Sequence, residues 1–288
     1  MTIAGIMPNL EKDEDLSVTK RLITFLENKG CCPYIPCDIA KKFNLDKYGI
    51  DEDRLFSIAD FIIVLGGDGT LLGIGRRTAK YNTPLLGINL GNLGFLTAAD
   101  NLGAEYAIEK VLENDYKVEK RLMIEAYINK GDNINNDSII ALNDICITRG
   151  AFSKLVEIDV YANKEYLDTV RADGIIISTP TGSTAYNLSA GGPILKPDTK
   201  IMAITPICPH NLYSRSIVIS ADDVITMVMR SKSNDSEFLL SADGQDAIKM
   251  KNNDIVRIKK SQFYTTIIKT EMKSFYDILR EKLSGNGG

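Results

Sequence analysis

Gly66-Gly67-Asp68-Gly69-Thr70 follows directly on an unbroken apolar run, Phe61-Ile62-Ile63-Val64-Leu65. Three glycines let a main chain pass close to a phosphate and take positive φ where a turn needs it. A helix beginning near Thr70 would add unpaired N–H groups and the positive end of a helix dipole, both favourable to an anion. Asp68 is the informative residue. A loop that only binds phosphate has no use for a carboxylate at its centre. Phosphoryl transfer does need one, to take a proton from the attacking hydroxyl or to hold a magnesium ion. A β-turn with Asp68 as its turn former would use the same residues. The spacing lacks the lysine of a Walker A loop and is not G-x-G-x-x-G.

Three further segments have chemical potential. Gly87-Ile88-Asn89-Leu90-Gly91-Asn92-Leu93-Gly94-Phe95-Leu96-Thr97 places ordered glycines after another apolar run, and open α/β sheets bind ligands at the C-terminal ends of their strands. Phe95 suits stacking on a flat base and capping of a core equally. Asn143-Asp144 interrupts an apolar stretch. An amide and a carboxylate can bracket vicinal ribose hydroxyls, provided a bulge or strand end turns both to one side; a hairpin or edge position is the alternative. Residues 173–193 place five hydroxyl residues, Ser178, Thr179, Thr181, Ser183 and Thr184, around Gly182 after an apolar strand. A helix over 184–190 would converge hydroxyls and amides on one ligand, with Tyr186 offering a stacking face. A solvated loop is the plain alternative.

These segments need a scaffold. Apolar runs at 3–7, 61–65 and 84–88 read as strands, and 61–65 is apolar throughout, as in parallel sheets covered on both faces. Leu16, Leu22, Ile23 and Leu26 repeat at helical spacing up to Gly30, and a helix is expected over 71–80. This order indicates an α/β domain over 1–98. Beyond it, a helix over 103–114 gives way to short strands at 123–129, 138–148, 155–162, 164–171, 175–178, 201–205, 224–230, 238–242 and 254–260. Turns at 130–133 and 242–245 separate some of them, and the whole suggests a β-rich domain over 99–272. An amphipathic helix over 274–283 and a frayed tail over 284–288 end the chain.

The 288 residues are enough for two cored domains. A formal charge of −4 gives no support for nucleic acid as the main partner, though it permits a local basic pocket. No apolar run reaches the roughly 20 residues that cross a bilayer, and the N-terminus lacks signal-peptide features; a cytoplasmic enzyme without membrane contact is expected. Five cysteines with His210 as the sole histidine fit reduced structural thiols better than zinc ligands.

Taken together, the Asp68 loop, segment 87–97, Asn143-Asp144 and segment 173–193 resemble, in this order, the NAD kinases, and the likeness spans nearly the whole chain. The glycine loop alone is also found in lipid kinases of the diacylglycerol and sphingosine type and in phosphofructokinases. A lipid kinase, or an NAD-binding sensor without catalysis, is therefore the alternative. The resemblance implies transfer of the terminal phosphoryl group of ATP to the 2′-hydroxyl of the adenosine ribose of NAD, giving NADP. It implies Mg2+ or another divalent cation, with polyphosphate as a possible other donor. The helix over 273–284 would return to the first domain. Asp68 would be the general base or metal-linked carboxylate. Gly69, Leu72 and Phe95 would line the dinucleotide site, Asn143 and Asp144 would hold ribose hydroxyls, and Thr181, Thr184, Ala185, Tyr186 and Ser189 would surround the adenine and its ribose. The resemblance implies a homotetramer or homodimer, since family members are commonly homotetramers whose site borrows residues from a neighbour; Arg171, Asp173 and His210 match those positions, a structural role for His210 being nearly as open. Arg76 and Arg77 are candidates for the donor triphosphate, or are solvated helix residues.

Overall fold

The apolar runs of the first domain form a parallel sheet. The computed structural model describes residues 1–91, 94–130, 133–150, 155–231, 237–270 and 274–284. Asn92, Leu93, the predicted turn at Gly131-Asp132, Lys273 and the predicted tail from residue 285 lie outside the described residues. The chain divides into two compact units, Met1–Lys120 with Thr265–Gly288, and Arg121–Tyr264.

In the first unit, β1 (Ile3–Pro8), α1 (Ser17–Asn28), β2 (Cys32–Pro36), α2 (Cys37–Lys42), β3 (Gly49–Ile50), α3 (Glu52–Ile58), β4 (Phe61–Gly66), α4 (Asp68–Thr78), β5 (Leu85–Asn89), β6 (Ala99–Asp100) and α5 (Ala104–Leu112) follow one another. The sheet order is β5-β4-β1-β2-β3, every pair parallel. All six residues of β4 are buried, as a strand covered on both faces requires. Thr19, Leu22, Ile23 and Leu26 form the buried face of α1 at i, i+3, i+4 and i+7. The buried Asp13 carboxylate accepts from the N–H groups of Val18 and Thr19 at 3.0 Å each and so satisfies the helix start.

The stretch from β2 to α3 was not expected from the sequence. Pro33 and Pro36 demote β2 on propensity grounds, yet Cys32, Pro33 and Tyr34 pair with β1 and Ile35 and Pro36 with β3. α3 carries its signal locally, the Asp51 side chain accepting from Arg54 N–H at 3.0 Å.

The second unit is built from most of β7 (Lys117–Lys130), β8 (Asn133–Ala141), β9 (Asp144–Arg149), β10 (Val156–Ala162), β11 (Glu165–Ala172), β12 (Gly174–Ser178), α6 (Tyr186–Ser189), β13 (Ile201–Ile207), β14 (Ile217–Ser220), β15 (Ile225–Arg230), β16 (Phe238–Ala242), β17 (Gln245–Met250) and most of β18 (Ile255–Lys269). One antiparallel sheet has the order β14-β13-β12-β9-β16-β17. In the other, β11, β10, β15 and β18 are neighbours in that order, and β7 pairs with β18 and β8. Alternate residues of both sheets, among them Ile145, Ile177, Phe238, Ile158, Met227 and Ile258, meet in one apolar cluster.

The first unit extends to Lys120 rather than ending at 98, because Ala104, Ala107, Ile108 and Val111 of α5 join the cluster of Leu22, Leu26 and Ile63. It also takes the end of β18, where Ile267 pairs in parallel with Leu85, and then α7 (Phe275–Leu283). A capping box starts α7, Ser274 Oγ accepting from Asp277 N–H at 3.2 Å while the Asp277 carboxylate accepts from Ser274 N–H at 3.1 Å.

Phe238 is among the largest fully buried side chains. Phe238→Ala is expected to lower the stability of the second unit by about 3–5 kcal/mol, read as a drop in its urea unfolding midpoint.

Candidate functional site

β4 ends at Gly66 and α4 begins at Asp68, one helical turn earlier than expected, with Gly67 extended between them (φ −135°, ψ −169°). Asp68 therefore stands in the first turn, beside the unpaired N–H groups that every helix start presents. Its carboxylate is also gripped by the loop after β5. Oδ2 accepts from Phe95 N–H at 2.8 Å and Oδ1 from Leu96 N–H at 3.1 Å. A Cβ on Gly94 would collide with this carboxylate, so only glycine lets the two loops close.

The 87–97 segment is folded from within. Asn89 Oδ1 accepts from Gly91 N–H at 2.8 Å, Thr97 Oγ1 accepts from Gly94 N–H at 3.1 Å, and Leu90 N–H reaches Gly66 O at 2.8 Å. Lys269, the last residue of β18, donates its ammonium to the carbonyls of Phe95, Leu96 and Thr97 at 3.2–3.3 Å. The half-buried Phe95 ring packs on the half-buried Phe275 of α7, centroids 6.2 Å apart. Leu72 is buried on α4, and the space above Gly69 is open. Asn9 donates to Thr70 Oγ1 at 2.8 Å. A Cβ built on Gly67 would lie 3.3 Å from the Lys12 ammonium, and one on Gly91 3.8 Å from it. Arg76 and Arg77 occupy the last turn of α4, about 12 Å along the axis from Asp68, and Arg77 pairs with Glu52 at 2.5 Å.

In the second unit the strand expected over 138–148 breaks at Leu142-Asn143. The reason is Asp243, in the turn between β16 and β17. Its Oδ2 accepts from Leu142 N–H at 2.9 Å, and its Oδ1 accepts from Asn143 and Asp144 N–H at 2.7 and 3.1 Å. Those amides would otherwise feed a ladder. The outcome is a corner that carries the Asn143-Asp144 pair at a strand end.

The hydroxyl segment packs on this corner. Thr179 N–H donates to Asn143 O at 2.8 Å and Thr179 Oγ1 to Leu142 O at 2.5 Å. A Cβ on Gly182 would overlap the Asn143 carbonyl. Of the five hydroxyls, those of Ser178, Thr179 and Ser183 turn inward, Ser183 Oγ bonding Pro180 O at 2.7 Å and Leu195 N–H at 2.9 Å. Thr181 Oγ1 is buried with no hydrogen-bond partner among the described residues. Such a group calls for one. Among the described residues the Thr184 hydroxyl makes only a 3.4 Å bond to Thr181 O. The helix expected over 184–190 is a 3₁₀ turn, Gly182–Thr184, followed by α6. Ala185 is half-buried, whereas Tyr186 and Ser189 are exposed. Asn187, which the sequence did not single out, is fully buried and binds Ser183 O, Pro193 O and Thr205 Oγ1.

Arg171 and His210 are joined by a 2.9 Å bond from His210 N–H to Arg171 O. Both line a cavity of about 490 Å³, together with Glu157, Asp168 and Asn211. Arg171 Nε pairs with Glu157 at 2.8 Å, and Asp173 pairs with Arg149 at 2.8 Å.

Burial first, and then the Asp243 charge, pushes the Asp144 carboxyl up to about 7. Burial and then the Asp144 charge push the neighbouring Cys146 thiol up to about 12. The Tyr186 phenol is raised too, by burial first and then by charges at Cys146, Cys208, Asp144 and Asp173.

Residues 5–116 match the family model of the ATP-NAD kinase N-terminal domain, and residues 142–270 that of the ATP-NAD kinase C-terminal domain. The NAD kinase of Caldanaerobacter subterraneus subsp. tengcongensis is 46% identical over 284 residues, 99% of each chain. That of Acetivibrio thermocellus is 40% identical over 283 residues, 98% of this chain and 97% of the relative. Among solved structures, yeast NADH kinase complexed with NADH aligns with a TM-score of 0.89 at 24% identity, over 100% of this chain and 89% of that one. An NAD kinase from Archaeoglobus fulgidus in complex with ATP aligns with a TM-score of 0.78 at 25% identity, over 99% of both.

The raised pKa of Asp144 has a consequence for stability. A carboxyl lifted from 3.8 to about 7 supports the folded state fully only below about pH 4, and that support is lost as pH rises to about 7. Asp144→Asn, which cannot ionise, is expected to gain on the wild type across this window, by roughly 2–4 kcal/mol at its upper end. Urea unfolding of both proteins at acid and alkaline pH measures the difference.

Proposed function

The chain belongs to the ATP-NAD kinase family, and from that membership we infer that it moves the terminal phosphoryl group of ATP to the 2′-hydroxyl of the adenosine ribose of NAD, giving NADP and ADP. It is a phosphotransferase with an alcohol group as acceptor. The observation in the chain itself that best supports this chemistry is the Asp68 carboxylate, fixed by two amides at the start of a helix that follows a glycine loop.

Asp68 acts as the general base. Each of its oxygens accepts one amide, which fixes the plane of the carboxylate and leaves lone pairs for the proton of the 2′-hydroxyl. The donor phosphates lie over Gly67 and the first N–H groups of α4, where an anion is favoured. Lys12, with its ammonium beside Gly67 and Gly91, is suited to hold them. Among the described residues no group of three His, Cys, Asp or Glu side chains forms a metal cage. Mg2+ takes phosphate oxygens and water with one or two carboxylates, and Asp68 is the carboxylate that would reach it. Such a cation, when bound, draws charge from the donor phosphates.

On the acceptor side, Asn143 and Asp144 hold ribose hydroxyls, and Thr181 finds in the ligand the partner its buried hydroxyl lacks. In the second unit Thr184, Ala185, Tyr186 and Ser189 serve the adenine and its ribose; in the first unit Gly69, Leu72 and Phe95 are the residues for the dinucleotide. Arg171, Asp173 and His210 serve a neighbouring copy in a homotetramer or homodimer, a role supported by the exposure of Arg171 and His210 around their cavity. No helix among the described residues is long and apolar enough to cross a membrane, and we place the enzyme in the cytoplasm, where ATP and NAD are held.

Incubation with NAD, ATP and Mg2+ is expected to yield NADP, with Asp68→Asn lowering kcat by about 10²–10⁴-fold; no NADP from folded wild-type protein sinks the proposal. The Asp144 carboxyl accepts ribose hydrogen bonds best when ionised. KM for NAD is therefore expected to fall by about threefold or more as pH rises through about 7. Asp144→Asn is expected to flatten that profile.

A further inference from the structure

The general base assigned to Asp68 owes its orientation to a loop, and something must hold the loop. The peptide joining Phe95 to Leu96 is bound at both ends. Its N–H, that of Leu96, donates to Asp68 Oδ1 at 3.1 Å, and its carbonyl, that of Phe95, accepts from Lys269 Nζ at 3.3 Å. In a trans peptide these two groups point in opposite directions, and there are no cis peptide bonds among the described residues. The unit is thus a dipole with a cation at its negative end and a carboxylate at its positive end. Leu96 O and Thr97 O take the same ammonium at 3.2 Å each. Three successive carbonyls, those of residues 95, 96 and 97, thus accept from one ammonium.

The placement follows from the sheet. Ile267 pairs in parallel with Leu85, so Lys269, two residues on, comes level with Gly87, where the 87–97 segment begins and to whose carbonyl Ala98 N–H returns at 2.8 Å. Apart from the bonds to the Asp68 carboxylate, the loop's side-chain ties from Asn89 and Thr97 are neutral. Charge-assisted bonds are stronger than neutral ones.

We propose that Lys269 is a positioning residue for catalysis, holding the Phe95–Thr97 carbonyls so that the amides of Phe95 and Leu96 fix the Asp68 carboxylate for proton abstraction. This rests on the assignment of Asp68 as the base. Lys269 touches no substrate in this role. Its loss loosens a geometry that a proton transfer must meet, and small misplacements of a catalytic group are costly.

The test is a double-mutant cycle of Lys269→Met and Asp68→Asn, with NADP read by enzymatic cycling so that low rates stay measurable. Lys269→Met is expected to lower kcat about tenfold or more, with KM for NAD and for ATP within about twofold of wild type. In the Asp68→Asn background it is expected to cost less than about twofold, because two residues acting through one contact are not additive. Wild-type kcat in Lys269→Met, or the same tenfold loss repeated on Asp68→Asn, overturns the proposal. Wild-type kcat in Asp68→Asn alone instead removes the assignment of the base. Should Lys269→Met fail to fold, Lys269→Gln, which keeps N–H donors without the charge, goes through the same cycle with the same criteria.

Discussion

Two consecutive amides, from Phe95 and Leu96, hold the carboxylate of Asp68, and much of the first unit is arranged around that contact. β4 has to hand over to α4 within one residue, Gly67, so that Asp68 stands at the helix start. The loop after β5 has to fold back, which Asn89 and Thr97 accomplish by binding main-chain N–H groups inside it. Gly94 has to lack a side chain, because the carboxylate fills the space a Cβ would take. The chain has to return from the second unit to pair β18 with β5 and set Phe275 against Phe95. The apolar burial of β4 and β5 makes these demands affordable in conformational terms, since the strands that launch both loops are fixed by a core at every position.

The second unit uses the same device to a different end. Asp243 gathers three successive amides at Leu142, Asn143 and Asp144, and breaks a strand to do so. Here the gripping carboxylate is not the one offered to a ligand. It presents its neighbours, Asn143 and Asp144, at a strand end. Its charge also reaches Asp144, which burial has already pushed away from its ordinary range. Asp68 and Asp243 thus both shape main chain, but the reactive role proposed above belongs to Asp68 alone.

The features that could be read in advance are those whose cause is local. The buried run of β4, the helical repeat of α1 and the glycine loop announce themselves through period and composition. The α/β and β-rich halves are legible for the same reason. The stretch from β2 to α3 is not, since its prolines argue against a strand that tertiary pairing nevertheless forms. Asp243 and Lys269 are further out of reach. Their partners stand 101 and 174 positions away in the chain, and nothing in the spacing of a single sequence ties them together; the Ala242–Gln245 region shows only as a turn. The hydroxyl segment illustrates a subtler limit. Ser178, Thr179, Thr181, Ser183 and Thr184 look alike as residue types, but three of their hydroxyls are spent on folding the loop, and only the packing tells which.

The reliance on main-chain donors explains why the site is hard to see from residue types alone. An amide orients a carboxylate equally well whatever side chain it carries, so positions 95, 96 and 142 are free to satisfy other requirements. Phe95 packs on Phe275, and Leu96 and Leu142 are buried in the interior. Apolar residues therefore stand where the orienting hydrogen bonds are made, and glycine stands where the approach is closest. A motif built this way records the constraint on its backbone rather than the chemistry it supports. The residues that report the chemistry are the few whose side chains the fold leaves unspent, above all Thr181, with a buried hydroxyl that has no partner among the described residues.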